Sequence, residues 1–199
     1  MVCKVNCDEN RMIQQQYSDN IVLEENAVRL RPFRMDDAGA LAALANNKKI
    51  WDNVRDSLPY PYSRRDAEYF INLQRKEKIP ATFAIEYNGN IAGVIGLVRQ
   101  SDVYRLTAEL GYWLGEPFWN KGICTKAVAL IVRYGFEKIG LQRIYANVFD
   151  FNKASQRVLE KAGFELECIS KKAAVKNGVI CSEYKYSIIA GDDSAGDGL

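Results

Sequence analysis

The sequence contains no histidine. That absence excludes a Ser-His-Asp triad, a Cys-His nucleophile pair, an HExxH zinc site and a Cys₂His₂ finger. Histidine is the side chain that titrates nearest neutrality. Any proton transfer here must instead use carboxylates, Tyr, Ser, Cys, Lys, the backbone or water. Charge of one sign is missing too: Lys+Arg is 27 and Asp+Glu is 25, a net of +2. No strong field for nucleic acid or anionic lipid follows. The short pairs Lys48-Lys49, Arg64-Arg65, Arg75-Lys76 and Lys171-Lys172 read as solvated surface. The cysteines, at 3, 7, 124, 168 and 181, are odd in number and scattered, which suits a reducing compartment rather than a disulfide framework. Cys3 and Cys7 have no second cluster to complete a metal site and read as free thiols near the chain's start. Long apolar runs are absent as well; stretches such as Ala127–Val132 fall far below the ~20 residues of a spanning helix. The first twenty residues hold no apolar signal core. A cytoplasmic protein that binds neither membrane nor nucleic acid is the expectation.

A chain of 199 residues suits one domain. A domain of that size buries roughly 70% of its unfolded surface and needs no staples. Residues 1–26 are polar and weakly patterned and read as an N-terminal extension of uncertain order. The small, acidic stretch 191–199 reads as a disordered tail, leaving 27–190 as the domain. Val28-Arg29-Leu30-Arg31 alternates as a strand should, and Asp36 or Asp37 is placed to cap a helix through Ala38–Asn46. The stretch from Trp51 to Ser63 carries Pro59 and Pro61 and reads as an ordered loop. Ser63 with Asp66 resembles a capping box opening a second helix. Asn88-Gly89 and Asn177-Gly178 mark hairpins, because both need positive φ in a tight turn. Ala108–Leu114 reads as a strand, and Gly111 within it as a bulge. Helices are expected over Gly122–Lys138 and Asn152–Ala162, with a strand over Arg143–Phe149 between them. Phe164–Cys168 and two later strands around Asn177-Gly178 close the domain. Hairpins mixed with helices make this α+β, a three-layer arrangement with a mixed, mostly antiparallel sheet.

Two segments carry chemistry. Phe118-Trp119-Asn120-Lys121-Gly122-Ile123-Cys124-Thr125 follows a strand and opens a helix. A helix N-terminus offers unpaired N–H groups and partial positive charge. Gly122 lets backbone approach an anion, and Lys121 and Thr125 add donors, so a phosphate site is indicated. It is neither a P-loop nor a Rossmann fingerprint. The second segment runs from Asn152 to Phe164, with Asn152 and Ser155 sharing a face at a helix start. An N-cap role accounts for Asn152 and leaves Ser155 unexplained.

Together these segments resemble the GNAT superfamily of acyl-CoA-dependent N-acetyltransferases, in its branch near the ribosomal-protein-alanine acetyltransferases (RimJ/RimL-like). The likeness extends in order from VRLRPFRMDDA through ELGYWLGEPFWNKGICTKA and LQRIYANVFDFNKASQRVLEKAGF to NGVICSEYKYSII. It implies a central sheet splayed at the acyl-CoA site and flanked by helices. It further implies acetyl-CoA as co-substrate, no metal, an amine acceptor, and a monomer or homodimer. The family's phosphate loop favours Gln or Arg where Trp119 stands and Gly or Ala where Cys124 stands. The backbone N–H of Trp119 and the small Cys124 keep the cradle. Many members carry a general-acid tyrosine where Leu159 stands, which leaves Ser155 as the nearest hydroxyl.

The resemblance then implies pyrophosphate on the N–H groups of Trp119 to Cys124, with Asn120, Lys121, Ile123 and Thr125 in the same cradle. The pantetheine arm would lie along Tyr112, Trp113 and Leu114, entering a gap opened by the bulge at Gly111. A backbone N–H there would stabilise the tetrahedral oxyanion. Glu109 is the candidate base, directly or through water. Ser155 would protonate or hydrogen-bond the leaving thiolate, and Asn152 would bond the pantetheine or the acceptor. Trp51, Tyr60 and Tyr62 are candidate walls of the acceptor site. A thiol at a helix N-terminus, as at Cys124, has its pKa lowered. With no base beside it, direct transfer is preferred over a Cys124 nucleophile. A non-catalytic acyl-CoA-binding or sensing module is the alternative.

Overall fold

The computed structural model describes residues 21–191. The tail beyond residue 191, the first twenty residues and the expectations on Cys3 and Cys7 lie outside them. Eight strands form one sheet in the order β1-β2-β3-β4-β5-β6-β8-β7. They are β1 (Leu23–Glu25), β2 (Val28–Arg31), β3 (Thr82–Tyr87), β4 (Asn90–Arg99), β5 (Thr107–Leu114), β6 (Arg143–Phe149), β7 (Glu165–Lys176) and β8 (Val179–Ile189). All neighbours are antiparallel except β5 and β6. Helices α1 (Asp37–Ala45), α2 (Lys48–Trp51) and α3 (Arg64–Gln74) connect β2 to β3. Helix α4 (Ile123–Tyr134) and a π-helical turn connect β5 to β6, and α5 (Lys153–Lys161) connects β6 to β7.

Helices cover both faces of the sheet at β3 and β4, which are buried in nearly continuous runs. On one face α4 buries Ala127, Leu130 and Ile131 against Ile95, Leu97 and Ile144. On the other, α1 and α3 bury Leu41, Ala67 and Ile71 against Ala84 and Val94. The Asn-Gly hairpins are as expected: Asn88 has φ 50° and Gly89 φ 77°, and Asn177 and Gly178 have 53° and 76°. Ser63 accepts from the Asp66 N–H and the Asp66 carboxylate accepts from the Ser63 N–H, a complete capping box.

Four local expectations are corrected. Leu23–Glu25, inside the stretch read as an extension, pairs with β2 through Leu23↔Leu30. Two expected strands after Phe164 are one strand, β7, kept continuous on β8 by register shifts at Leu166/Cys168 and Ser170/Ala174. Gly111 makes no bulge: β4 and β5 stay in register from Arg99↔Ala108 to Gly93↔Leu114. The bulge lies between β3 and β4, at Ile85/Glu86. A Cβ at Gly111 would meet nothing within 4 Å. The glycine clears space above the sheet rather than kinking it. At α1, Asp36 makes no side-chain cap because its backbone is already helical. Asp37 turns back instead, accepting from the Arg34 N–H at 2.7 Å.

That carboxylate belongs to a buried charge network. Arg31 donates from Nη1 and Nη2 to Asp37 at 2.8 Å each and from Nε to Glu86 at 2.6 Å. The three residues are 5%, 8% and 6% exposed. Burial alone raises the Asp37 pKa, but the Arg31 hydrogen bonds and the Arg34 N–H outweigh it and hold it below the ordinary 3.8. A depressed native pKa stabilises the fold above the unfolded value and ceases to do so as pH falls through the native one. Arg31→Met removes the cation paired with buried Asp37 and leaves Glu86 only the longer Arg29 contact at 3.4 Å, and is expected to cost about 3–5 kcal/mol in urea denaturation. It should also move the acid-unfolding midpoint to higher pH.

Candidate functional site

β5 pairs with β6 over only three positions, Thr107↔Arg143, Ala108↔Ile144 and Glu109↔Tyr145. Past Glu109 each strand follows its other neighbour, β5 along β4 to Leu114↔Gly93 and β6 along β8 to Phe149↔Glu183. Sheet twist then carries them apart. The gap opens a cleft of about 1590 Å³. Its walls are Glu109–Leu114 on one side and Ala146–Phe149 on the other, with residues 118–125 and the start of α5 at one end. The sheet splays, but through loss of pairing with β6 rather than through a bulge.

A 3-10 turn, Glu116–Phe118, carries the chain from β5 into the loop. The Trp119 indole Nε1 donates to the Leu114 carbonyl at 2.6 Å and pins the loop to the strand end. The Trp119 backbone N–H, expected in the cradle, donates to the Glu116 carbonyl at 3.2 Å. The free donors therefore begin one residue later. Asn120 has φ 59° and Gly122 φ 71°, and α4 starts at Ile123 without a side-chain cap. Among the described residues, no backbone or side-chain acceptor meets the N–H groups of residues 120–125. A Cβ at Gly122 would stand in open space. The Lys121 ammonium rests on the Pro117 carbonyl at 2.9 Å. Burial pushes the Cys124 thiol up to about 12. That burial opposes the lowering expected of a thiol at a helix N-terminus. Thr125 and Cys124 are partly buried beside the cleft.

Glu109 stands where the strands part. Arg55 donates from Nη1 to Oε2 at 3.2 Å and from Nη2 to Oε1, and Asn147 Nδ2 donates to Oε1 at 3.1 Å. On the opposite face of β5, the Tyr112 hydroxyl lies 2.8 Å from Ser155 Oγ. Burial raises the Tyr112 pKa well above its ordinary value, against the lowering effect of the Ser155 bond. Asn152 is the N-cap of α5, its Oδ1 accepting from the Ser155 N–H at 3.1 Å. Leu159 is fully buried in the core. Trp113 packs toward α1 and α3, and Leu114 is buried at the strand end.

Of the three aromatic residues expected around the acceptor, only Tyr62 lines the cleft. It is buried, and desolvation raises its hydroxyl to about 12. Trp51 and Tyr60 pack on each other, ring centroids 5.6 Å apart, away from the cleft. They pack there because the buried Lys176 ammonium sits 3.6 Å from the Trp51 ring centre and pairs with Asp56 at 2.6 Å. Arg55, Asn147 and the Tyr112 hydroxyl are the polar groups that sequence reasoning missed or assigned otherwise. Nothing in spacing links Arg55 to Glu109 or Tyr112 to Ser155, since the separations are 54 and 43 residues.

A sheet split beside an uncapped helix N-terminus leaves room for an extended chain and donors for an anion. Residues 27–165 match the acetyltransferase (GNAT) domain model. The chain belongs to the GNAT acetyltransferase family. A curated relative, the probable N-acetyltransferase YjcK of Bacillus subtilis (strain 168), is 31% identical over 179 residues, 86% of this chain and 99% of that one. The solved structure of the microcin C7 self-immunity acetyltransferase MccE with acetyl-CoA and AMP is 26% identical and aligns with a TM-score of 0.70. That match covers 83% of this chain and 93% of that one. The ribosomal-protein-S5-alanine acetyltransferase from Vibrio fischeri shares the fold at a TM-score of 0.76 and 21% identity, covering 87% and 98%. This GNAT protein is therefore an acyl-CoA-dependent N-acetyltransferase, moving the acetyl group of acetyl-CoA to an amine. No observation favours the non-catalytic alternative. No described helix is long and apolar enough to cross a membrane. The unpartnered N–H run, the open space at Gly122 and the gap beyond Glu109 together fit acetyl-CoA.

Proposed function

We propose that the acceptor is the α-amine of a peptide or protein N-terminus, acetylated by direct transfer at the β5–β6 split. The observation that carries this reading is Glu109, a carboxylate at the point where the strands diverge and facing the cleft. An α-amine has a pKa near 7.7–8.0, against about 10.4 for lysine, so it needs less help from a base to lose its proton.

Acetyl-CoA supplies an acyl group already activated as a thioester. The N–H groups of residues 120–125 hold its pyrophosphate, and Gly122 lets that backbone close on it. Lys153, Arg157 and Lys161, one helical turn apart on α5, line the same cleft and add positive charge. The β6-facing backbone of Tyr112–Leu114 pairs with the pantetheine amides, and Asn152, whose Oδ1 is engaged, offers Nδ2. Glu109 receives the amine proton, directly or through water. Ser155 hydrogen-bonds the departing sulfur. With the Tyr112 hydroxyl as the donor to Ser155 Oγ, the serine proton is free to point into the cleft.

A CoA-release assay with ribosomal-protein N-terminal peptides, lysine-bearing blocked peptides, amino acids and polyamines tests the acceptor. Faster release with free N-termini than with blocked lysine peptides is the expected result. Indifference between them, or no release with any amine, overturns it. Ser155→Ala and Tyr112→Phe should each lower kcat by roughly tenfold with little change in KM, and the double variant should lose no more than one of them. Additive losses would separate the tyrosine from the serine.

A further inference from the structure

Resting on that reading of Glu109 as the base, we infer that Arg55 selects acceptors whose amine carries a nearby anionic group, a carboxylate or a phosphate. Both Glu109 oxygens are engaged by the Arg55 guanidinium. A cationic amine approaching Glu109 therefore competes with a positive charge already on both carboxylate oxygens. An acceptor with an anion beside its amine resolves the conflict. The anion takes the fork of the guanidinium, for which a planar two-oxygen group is the matching shape, and the amine takes Glu109.

The loop is built for such an exchange at the side chain alone. Its neighbouring side chains are tied to the tip of the β7–β8 hairpin, Asp56 by Lys176 at 2.6 Å and Asp52 by Asn177 at 2.8 Å. The Leu58 N–H closes on the Arg55 carbonyl at 3.1 Å. The Arg55 side chain itself is 59% exposed against 16% for Glu109. A mobile guanidinium largely in water holds its partner weakly, whereas the Lys176 ammonium is buried against the Trp51 ring, so an incoming anion can draw Arg55 away while the loop stays in place. A polycationic amine gains nothing comparable. The carboxylate at the split is already answered, and the other two carboxylates lining the cleft, Glu77 and Glu183, sit in the connection after α3 and on β8.

The test compares matched acceptors. Peptides beginning with Asp or Asn differ by one anion at constant shape, phosphoethanolamine and ethanolamine by a phosphate, and spermidine is the polycation. With the wild-type enzyme, kcat/KM for at least one anionic member should exceed that of its neutral partner tenfold or more, and the pair showing it tells carboxylate from phosphate. Arg55→Met should collapse that ratio to about one, and Arg55→Lys should keep part of it. Calorimetric titration with CoA should give the same Kd for wild type and Arg55→Met, since Arg55 stands away from the phosphate loop. A wild-type ratio near one in both pairs, or a ratio that survives Arg55→Met, overturns the inference. Failure of every amine to release CoA would instead overturn the acceptor reading on which it rests.

Discussion

Gly122→Val is expected to raise the Kd for CoA by roughly 100-fold, the loss of about 2.7 kcal/mol of binding free energy. Gly122 has φ 71°, and its Cβ position is open space at the mouth of the helix. A β-branched residue is an outlier in that backbone region, and strain there costs about 1–3 kcal/mol. The loop can relieve the strain only by leaving the turn that aims residues 120–125 inward. If it does not, the valine side chain occupies the phosphate's own place. Either response removes anion binding and leaves the core beneath α4 intact. Calorimetric titration with CoA, beside a thermal melt to confirm folding, checks the result. Unchanged affinity in a folded variant would remove the phosphate assignment.

The second large effect is at Glu109. Glu109→Gln keeps the shape and keeps an acceptor oxygen for Asn147 and Arg55, but it cannot take a proton. Loss of a positioned general base lowers turnover by about 10²–10⁴-fold. The loss should be greatest near pH 6, where an α-amine is protonated, and should shrink above its pKa of about 7.7–8.0. A pH–rate profile of the variant that matches the wild type would exclude Glu109 as the base. Because the chain has no histidine, no limb of either profile can belong to an enzyme imidazole. A limb near pH 6.5 would belong to a carboxylate or to the acceptor amine.

Local features were legible because their causes are local. A Ser three residues before an Asp makes a capping box wherever the chain goes, and Asn152 caps α5 for the same reason. Asn88-Gly89 turns a hairpin because both residues tolerate positive φ. The strand–loop–helix order around Gly122 gives an uncapped helix start, because helix N-termini leave N–H groups unpaired. The errors arose where one residue's meaning depends on a distant one. Gly111 was read as a kink, yet it lies in register opposite Gly96 and clears space above the sheet. Trp51 and Tyr60 were read as cleft walls, yet Lys176 and Asp56 gather them into a separate cluster. Trp119 was given a cradle N–H that a 3-10 turn takes for itself.

The resemblance to a known family therefore sufficed for the family, composition for the exclusion of imidazole chemistry, and order along the chain for the uncapped helix start after Gly122. The cleft itself is set by which strands keep their partners: β5 stays with β4, β6 stays with β8, and the twist between them opens the gap. The same folding brings Arg55 and Asn147 to Glu109, and Tyr112 to Ser155, across 38 to 54 residues of sequence. Hydrogen bonds and ion pairs act over a few ångströms, so their partners are chosen by the packing of the sheet and not by position along the chain.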